Sequence, residues 1–329
     1  MADQQYFKSS VQISRPFLTS KAVKFLQKKT IPDYQTYKQR ISHVLSFLLS
    51  LTRLLKFPSR TLESAMLYYQ RYYLFNHFST SSNIDVAIAA LFIASKNEDT
   101  IKKLRDIIAI ANPLRNAPNT NEAIEENKKV ILNFEKKMLE TISFDFRTYH
   151  IDELLIRIAK DLKLSVDLTY LAYMIAFDSF QTEVSLKTPQ HATAIACIII
   201  AAKFREENSV FPLNSAKYKC DRALVNEALF EILELYINNY NYGSLADMYP
   251  NDKESFIKIR INIKNEINLK DLDERSLLND GFYNIKNYNV SDTGSARYML
   301  GNQEKRFYEE VDAQENYKES TEPKKVKLH

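Results

Sequence analysis

The sequence predicts an all-α protein built from two similar helical domains, and three observations support this prediction. An apolar segment at residues 87–96 returns at residues 194–203, 107 residues later, with six of ten residues identical. A helix that is apolar on every side must be enclosed by other helices, so each copy indicates the centre of its own domain. All four glycines lie at or after Gly243, and the chain of 329 residues is long enough for two domains.

The first domain is predicted to contain five helices after a short N-terminal one. Pro58 ends the first long helical pattern, and the sequence from Ser82 to Asp85 has the form of a capping box that opens the first apolar helix. Residues 113–121 read as a loop. The helical spacing of apolar residues predicts helices over 20–29, 33–55, 60–75, 82–96, 100–111 and 122–142.

The second domain repeats this order and is followed by a region of different composition. Thr188 and Pro189 read as the N-cap and first residue of the second apolar helix. Residues 252–272 fit a helix and a strand equally well, and residues 275–329 are expected to be largely disordered on their own. The further predicted helices cover 151–162, 166–180 and 222–240. The predicted divisions are an extension at 1–32, domains at 33–148 and 149–242, and a C-terminal extension at 243–329.

Composition argues against several classes of function. Residues 1–242 contain no glycine, which removes the phosphate-binding loops and nucleophile elbows that depend on glycine. Cys197 and Cys220 are too few for a zinc ribbon or a disulfide framework, and the five histidines lack metal-ligand spacing. We therefore expect no metal, no cofactor and a reduced intracellular protein. A net charge of +4 and apolar runs shorter than about 20 residues argue against direct nucleic-acid binding and a membrane span.

Two strings in the first domain resemble the cyclin box. ALFIASKNED at residues 90–99 resembles the end of the third cyclin helix, and NFEKKMLETISFDF at residues 133–146 resembles the fifth. The second domain is similar more loosely, so the resemblance implies a tandem cyclin fold over about residues 33–240. The strings at 37–40 and 69–72 are closer to transcriptional cyclins than to cell-cycle cyclins. Within that class the chain most resembles the beta subunits of fungal kinases that phosphorylate the RNA polymerase II C-terminal domain.

The resemblance implies a non-catalytic regulatory subunit in the nucleus. It would bind and activate a cyclin-dependent kinase that phosphorylates the heptad repeats of RNA polymerase II in transcription elongation, in a three-part complex with a gamma subunit. In cyclins the positions matching Lys96 and Glu135 hydrogen-bond the kinase. Those matching Ile93, Leu139, Phe144 and Phe146 form the apolar part of the kinase-binding surface.

Several alternatives stay open at the level of sequence. Lys96 at a helix C-terminus also suits the helix dipole, and Glu135 also reads as an ordinary solvated carboxylate. Lys324, Lys325 and Lys327 form a candidate nuclear-import signal or a solvated basic tail. A DNA-binding general transcription factor of the TFIIB kind also has tandem cyclin folds, although it normally carries a zinc ribbon and a strongly basic face. The chain also departs from the cyclin pattern, with Gln70 where an aspartate commonly precedes arginine.

Overall fold

The computed structural model describes residues 17–207, 215–218, 220, 222–250, 252–266, 297–300 and 309–312. It is helical apart from one short antiparallel pair of strands, β1 (Arg297–Leu300) and β2 (Glu309–Asp312). The first six helices are α1 (Ser20–Thr30), α2 (Tyr34–Leu55), α3 (Ser59–Phe75), α4 (Asn83–Asn97), α5 (Leu104–Leu114) and α6 (Asn121–Thr141). The remaining helices are α7 (Ile151–Asp161), α8 (Val166–Asp178), α9 (Val184–Lys187), α10 (Gln190–Phe204), α11 (Arg222–Asn238), α12 (Leu245–Met248) and α13 (Lys253–Glu266). The predicted import residues Lys324, Lys325 and Lys327 lie outside the described residues.

The first unit, α2–α6, is organised around α4 as the sequence predicts. Every residue from position 86 to position 95 is buried, and α2, α3, α5 and α6 all pack against this helix. Alanines at positions 87, 89, 90 and 94 allow the surrounding helices to approach the α4 backbone closely. The first charged side chain after this run is Lys96, so the helix leaves the core with a cation at its C-terminal end.

Two local features of the first unit differ from the prediction. Ser82 makes no side-chain capping hydrogen bond, because its backbone is in the helical region and not in the extended conformation of an N-cap residue. The Asp85 carboxylate of the expected box is bound by Arg115 instead. Helix α5 continues through Pro113, where a loop was predicted. Proline lacks the N–H that would bond the carbonyl of Ala109, and the side-chain amide of Asn119 donates to that oxygen at 3.0 Å. This side-chain hydrogen bond replaces the missing backbone one, so the helix tolerates proline in its last turn.

The second unit, α7–α13, encloses α10 in the same way. Residues 192–202 are buried except for the half-buried Ile199, and α7, α8, α11 and α13 surround them. Helix α13 is the segment for which helix and strand were both open. Burial of Phe256, Ile259 and Ile263 at helical spacing decides for a helix. The packed core of this unit therefore reaches Ile263, past the predicted end at residue 242.

A buried glutamine joins the two units at the position where cyclins commonly have aspartate. Gln70 of α3 is 1% exposed, and its side-chain amide donates to the carbonyls of Phe180 and Thr182 at 2.8 and 2.9 Å. Its own carbonyl oxygen accepts from the Ser185 hydroxyl at 2.9 Å. A carboxylate could not donate to the two carbonyls, so glutamine suits this contact.

A buried ion pair joins the units at a second place. The Glu183 carboxylate, 2% exposed, accepts from the Tyr34 hydroxyl at 2.9 Å and lies 3.1 Å from the ammonium of Lys38. Burial alone would raise the pKa of Glu183, but Lys38 and the hydrogen-bond donors outweigh it and hold the pKa well below its usual range. The N-terminal segment adds a backbone hydrogen bond of 2.8 Å from Leu18 to Leu186. Helix α1 and the start of α2 therefore contact both units.

Candidate functional site

The two charged residues expected to bind a partner form an ion pair at the surface. Lys96 extends from the last turn of α4, and its ammonium lies 2.6 Å from the Glu135 carboxylate of α6. The same ammonium lies 4.0 Å from the centre of the Phe92 ring, which adds a cation–π contact. The Lys96 side chain is 47% exposed, whereas that of Glu135 is 13% exposed. The pair therefore presents a cation at the surface, backed by a largely covered carboxylate.

The exposed aromatic residues follow α6 in a turn with unusual backbone angles. Ser143 and Phe144 both have positive φ, near 53° and 54°, a region that non-glycine residues seldom occupy. The Phe144 N–H donates to the carbonyl of Leu139 at 3.1 Å, which closes the turn over the end of α6. The result is that the Phe144 side chain is 55% exposed and points away from the core.

A buried carboxylate holds this turn in place. Asp145 lies 3.6 Å from the guanidinium of Arg71 on α3 and 2.8 Å from that of Arg147. In sequence Phe146 stands between Asp145 and Arg147. Its ring packs edge-to-face on Phe144, with ring centres 6.3 Å apart. The turn is therefore tied to the first unit while its two aromatic side chains stay at the surface.

The structure brings five of the six predicted residues to one end of α4 and α6. Phe146 is 38% exposed, and Leu139 is half-buried one helical turn after Glu135. Ile93 differs from the prediction because it is only 2% exposed. It supports the surface from below through core packing and does not form part of it.

A polar cluster behind this surface was not found from the sequence. The two ring nitrogens of His150 each lie 3.4 Å from a carboxylate, one from Glu63 of α3 and the other from Glu98 just after α4. Glu98 also accepts from the Ser64 hydroxyl at 2.6 Å. The Glu63 carboxylate, which accepts from the protonated ring at this long distance, raises the pKa of His150 against the opposing effect of burial. The cluster joins three separated parts of the chain, so no local spacing could have revealed it.

Within the part of the chain that the structure describes, no group of three or more histidine, cysteine, aspartate or glutamate side chains has the geometry to hold a metal ion. None of the helices over those residues is long and apolar enough to cross a membrane. The surface formed by Lys96, Glu135, Leu139, Phe144 and Phe146 combines exposed apolar rings with an exposed cation, a composition found in protein-binding surfaces.

Comparison with known proteins assigns the chain to a family. Residues 14–147 match the family model described as "Cyclin, N-terminal domain". The CTD kinase subunit beta of Saccharomyces cerevisiae is 36% identical over 304 residues, which cover 89% of this chain and 93% of the relative. The chain belongs to the cyclin family. The resemblance seen in the sequence and the predicted tandem cyclin fold are both confirmed.

Two further comparisons agree with this assignment. This cyclin is 32% identical over 262 residues to the CTD kinase subunit beta of Schizosaccharomyces pombe, with 77% of this chain and 76% of the relative covered. It also matches a chain in the crystal structure of the yeast RNA Pol II CTD kinase CTDK-1 complex. That match has a TM-score of 0.77, 35% identity, and covers 90% of this chain and 97% of the other. The likeness therefore includes the second unit as well as the first.

Proposed function

We propose that this cyclin is the regulatory subunit of a kinase that phosphorylates the C-terminal heptad repeats of RNA polymerase II in transcription elongation. The main support is similarity to two CTD kinase beta subunits over more than three quarters of the chain. The site geometry supports it independently, because the residues that match the cyclin kinase-binding motif lie together at one exposed surface. In this proposal the chain performs no catalysis, and the kinase subunit supplies ATP binding and phosphoryl transfer.

The proposed mechanism is stabilisation of the active arrangement of the kinase. A protein kinase is active when a glutamate of its C-helix pairs with the lysine that binds ATP. A cyclin that binds better to the inward position of that helix shifts the kinase towards its active state. The exposed rings of Phe144 and Phe146, with Leu139 beside them, offer the apolar contact area for the helix. Lys96 and Glu135 offer a donor and an acceptor to polar groups next to it.

Substitution of the ion pair tests this proposal. When the surface is covered by the kinase, removal of one partner leaves the other desolvated, at a cost of about 2–5 kcal/mol. We therefore expect Lys96→Ala and Glu135→Ala each to weaken kinase binding about 30-fold or more. The measurement is titration calorimetry of each purified variant against the kinase subunit of the same complex, with circular dichroism to verify the fold.

Lys129→Ala provides the matched control. Lys129 lies on α6, is exposed, and is not on the surface described above. This variant should bind the kinase as the natural chain does. Unchanged binding by the Lys96→Ala/Glu135→Ala double variant would refute the assigned interface.

The remaining parts of the proposal concern partners and location. We propose a complex with a cyclin-dependent kinase and a gamma subunit, acting in the nucleus on the polymerase tail. Removal of residues 318–329, which contain Lys324, Lys325 and Lys327, should reduce nuclear accumulation and leave kinase activity in vitro intact. Unchanged localisation of that truncated chain would show that this basic end is not an import signal.

The rival function is a DNA-binding transcription factor with tandem cyclin folds. The net charge of +4 and the family match to kinase subunits both favour the regulatory role. Salt-dependent binding of duplex DNA at nanomolar concentration, with no kinase binding, would favour the rival.

A further inference from the structure

Helix α13 has apolar residues on two opposite faces, and its packing accounts for only one of them. Phe256, Ile259 and Ile263 are buried against the second unit. Ile257 and Ile261 are spaced by four residues on the other face, where they are 38% and 54% exposed. Residues four apart on a helix form one continuous ridge, so the two isoleucines make a short apolar stripe at the surface.

Basic side chains surround this stripe. Helical spacing places Lys253, Arg260 and Lys264 along one side of it and Lys258 along the other. None of the ion pairs among the described residues uses Lys258, Arg260 or Lys264. Of the two acidic residues in the helix, Glu266 is engaged by Lys203 at 2.8 Å. Helical spacing places the other, Glu254, one turn before Ile257 and beside Lys258. The exposed face of α13 is therefore apolar in the middle and positive along the edge formed by Lys253, Arg260 and Lys264.

The helix that presents this face is firmly anchored. The Phe256 ring stacks on Tyr236 with 4.5 Å between ring centres and on Phe204 with 5.1 Å. The bridge from Lys203 to Glu266 ties the C-terminal end of α13 to α10. The same kind of Lys–Glu bridge joins the buried helix to the last helix of the first unit, from Lys96 to Glu135. A face held this way is preformed, which lowers the entropic cost of binding.

We propose that the exposed face of α13 docks an amphipathic helix of a partner protein, one with acidic residues along one side of its apolar stripe. An apolar ridge with spacing of four residues packs into the groove of a second helix. The positive edge favours acidic side chains across the contact and disfavours basic ones. This surface is formed by α13 of the second unit, whereas the proposed kinase-binding surface is formed by α4, α6 and the turn after α6 in the first. The proposal does not depend on the identity of the kinase.

Two synthetic peptides test the docking surface on the full-length chain. Both place leucine at helical spacing, one with glutamate and the other with lysine at the flanking positions. Fluorescence anisotropy should show that the glutamate peptide binds and the lysine peptide does not, with affinity falling as salt rises. The Ile257→Gln/Ile261→Gln variant should bind the glutamate peptide about tenfold more weakly or worse. Val166→Gln, at a β-branched apolar side chain that is 84% exposed on α8, is the control and should bind normally.

Several results would overturn the proposal. Equal binding of the two peptides, or normal binding by the Ile257→Gln/Ile261→Gln variant, would show that the face does not recognise an acidic helix. Binding that appears only after residues 297–329 are removed would mean that the chain covers the face itself. Displacement of the glutamate peptide by the kinase subunit would assign the face to the kinase interface. Tighter binding to duplex DNA or to anionic lipid vesicles than to the glutamate peptide would assign it to those ligands.

Discussion

Replacement of Gln70 by leucine should loosen the junction between the two units. The side chain is buried, lies in α3 of the first unit, and makes three hydrogen bonds to the segment that precedes α10. Leucine has nearly the same volume, so the change removes the polar contacts and leaves the packing largely intact. The carbonyls of Phe180 and Thr182 and the hydroxyl of Ser185 would then lose their partner in a region without access to water.

The expected cost follows from these three groups. A buried polar group left without its partner costs about 1–3 kcal/mol, so three of them give a total of at least about 3 kcal/mol. Since each 1.4 kcal/mol corresponds to about a factor of ten, local opening of this segment should become more than about 100-fold more frequent. The overall fold should persist, because α4 and α10 keep their own cores.

Hydrogen exchange of backbone amides measures this opening. The amides of Leu186 and Thr188 report on the segment, since they are bonded within the turn and α9. Gln181→Leu is the matched control, because Gln181 is also buried but donates only one side-chain hydrogen bond, to Tyr242 at 3.0 Å. The loss of its single bond should cost about 1–3 kcal/mol, about one third of the free-energy effect of Gln70→Leu. Exchange in the Gln70→Leu variant that stays within twofold of the natural chain would refute the reasoning.

Two further predictions concern stability. Phe256→Ala should cost about 3–5 kcal/mol, because the buried ring is lost from its stack, whereas Ile257→Ala on the exposed face should change little. Thermal unfolding followed by circular dichroism compares the two, and equal midpoints would show that α13 is not part of the core. For His150, whose pKa is raised above 6.5 in the fold, the stabilisation is present below pH 6.5 and is lost as the pH rises through the folded value. The charges that face it are Glu63, Glu98 and Asp152, and burial raises the pKa of Glu63 to about 7, so both partners lose protons in this range. A His150→Gln/Glu63→Gln variant, which removes both groups, should therefore lose less stability than the natural chain between pH 6 and pH 9 in urea unfolding. Parallel pH curves would contradict this.

The proposed kinase-binding surface shows how much of a site local sequence patterns can predict. The string that contains Lys96 and the string that contains Glu135 were recognisable separately, and their helices meet as expected. The sequence did not indicate which side chains of these two strings would be exposed and which would be buried. Ile93 belongs to the same motif as Lys96 but faces the core, because its position on α4 points between the neighbouring helices. The positive φ of Ser143 and Phe144 has no signal in the residue types, since neither is glycine.

The sequence by itself determined the class of fold and the two central helices. A helix that is apolar on all sides is stable only when other helices cover it. The sequence therefore identified α4 and α10 as the buried centres of the two units. Helix α13 had two interpretations. Isoleucine at every second position from 257 to 263 is typical of a strand, whereas Phe256, Ile259 and Ile263 have helical spacing. The structure decided for a helix because Phe204 and Tyr236, far away in sequence, stack on Phe256. Contacts between distant segments, such as those of Gln70 and His150, depend on the assembled fold and only the tertiary structure could assign them.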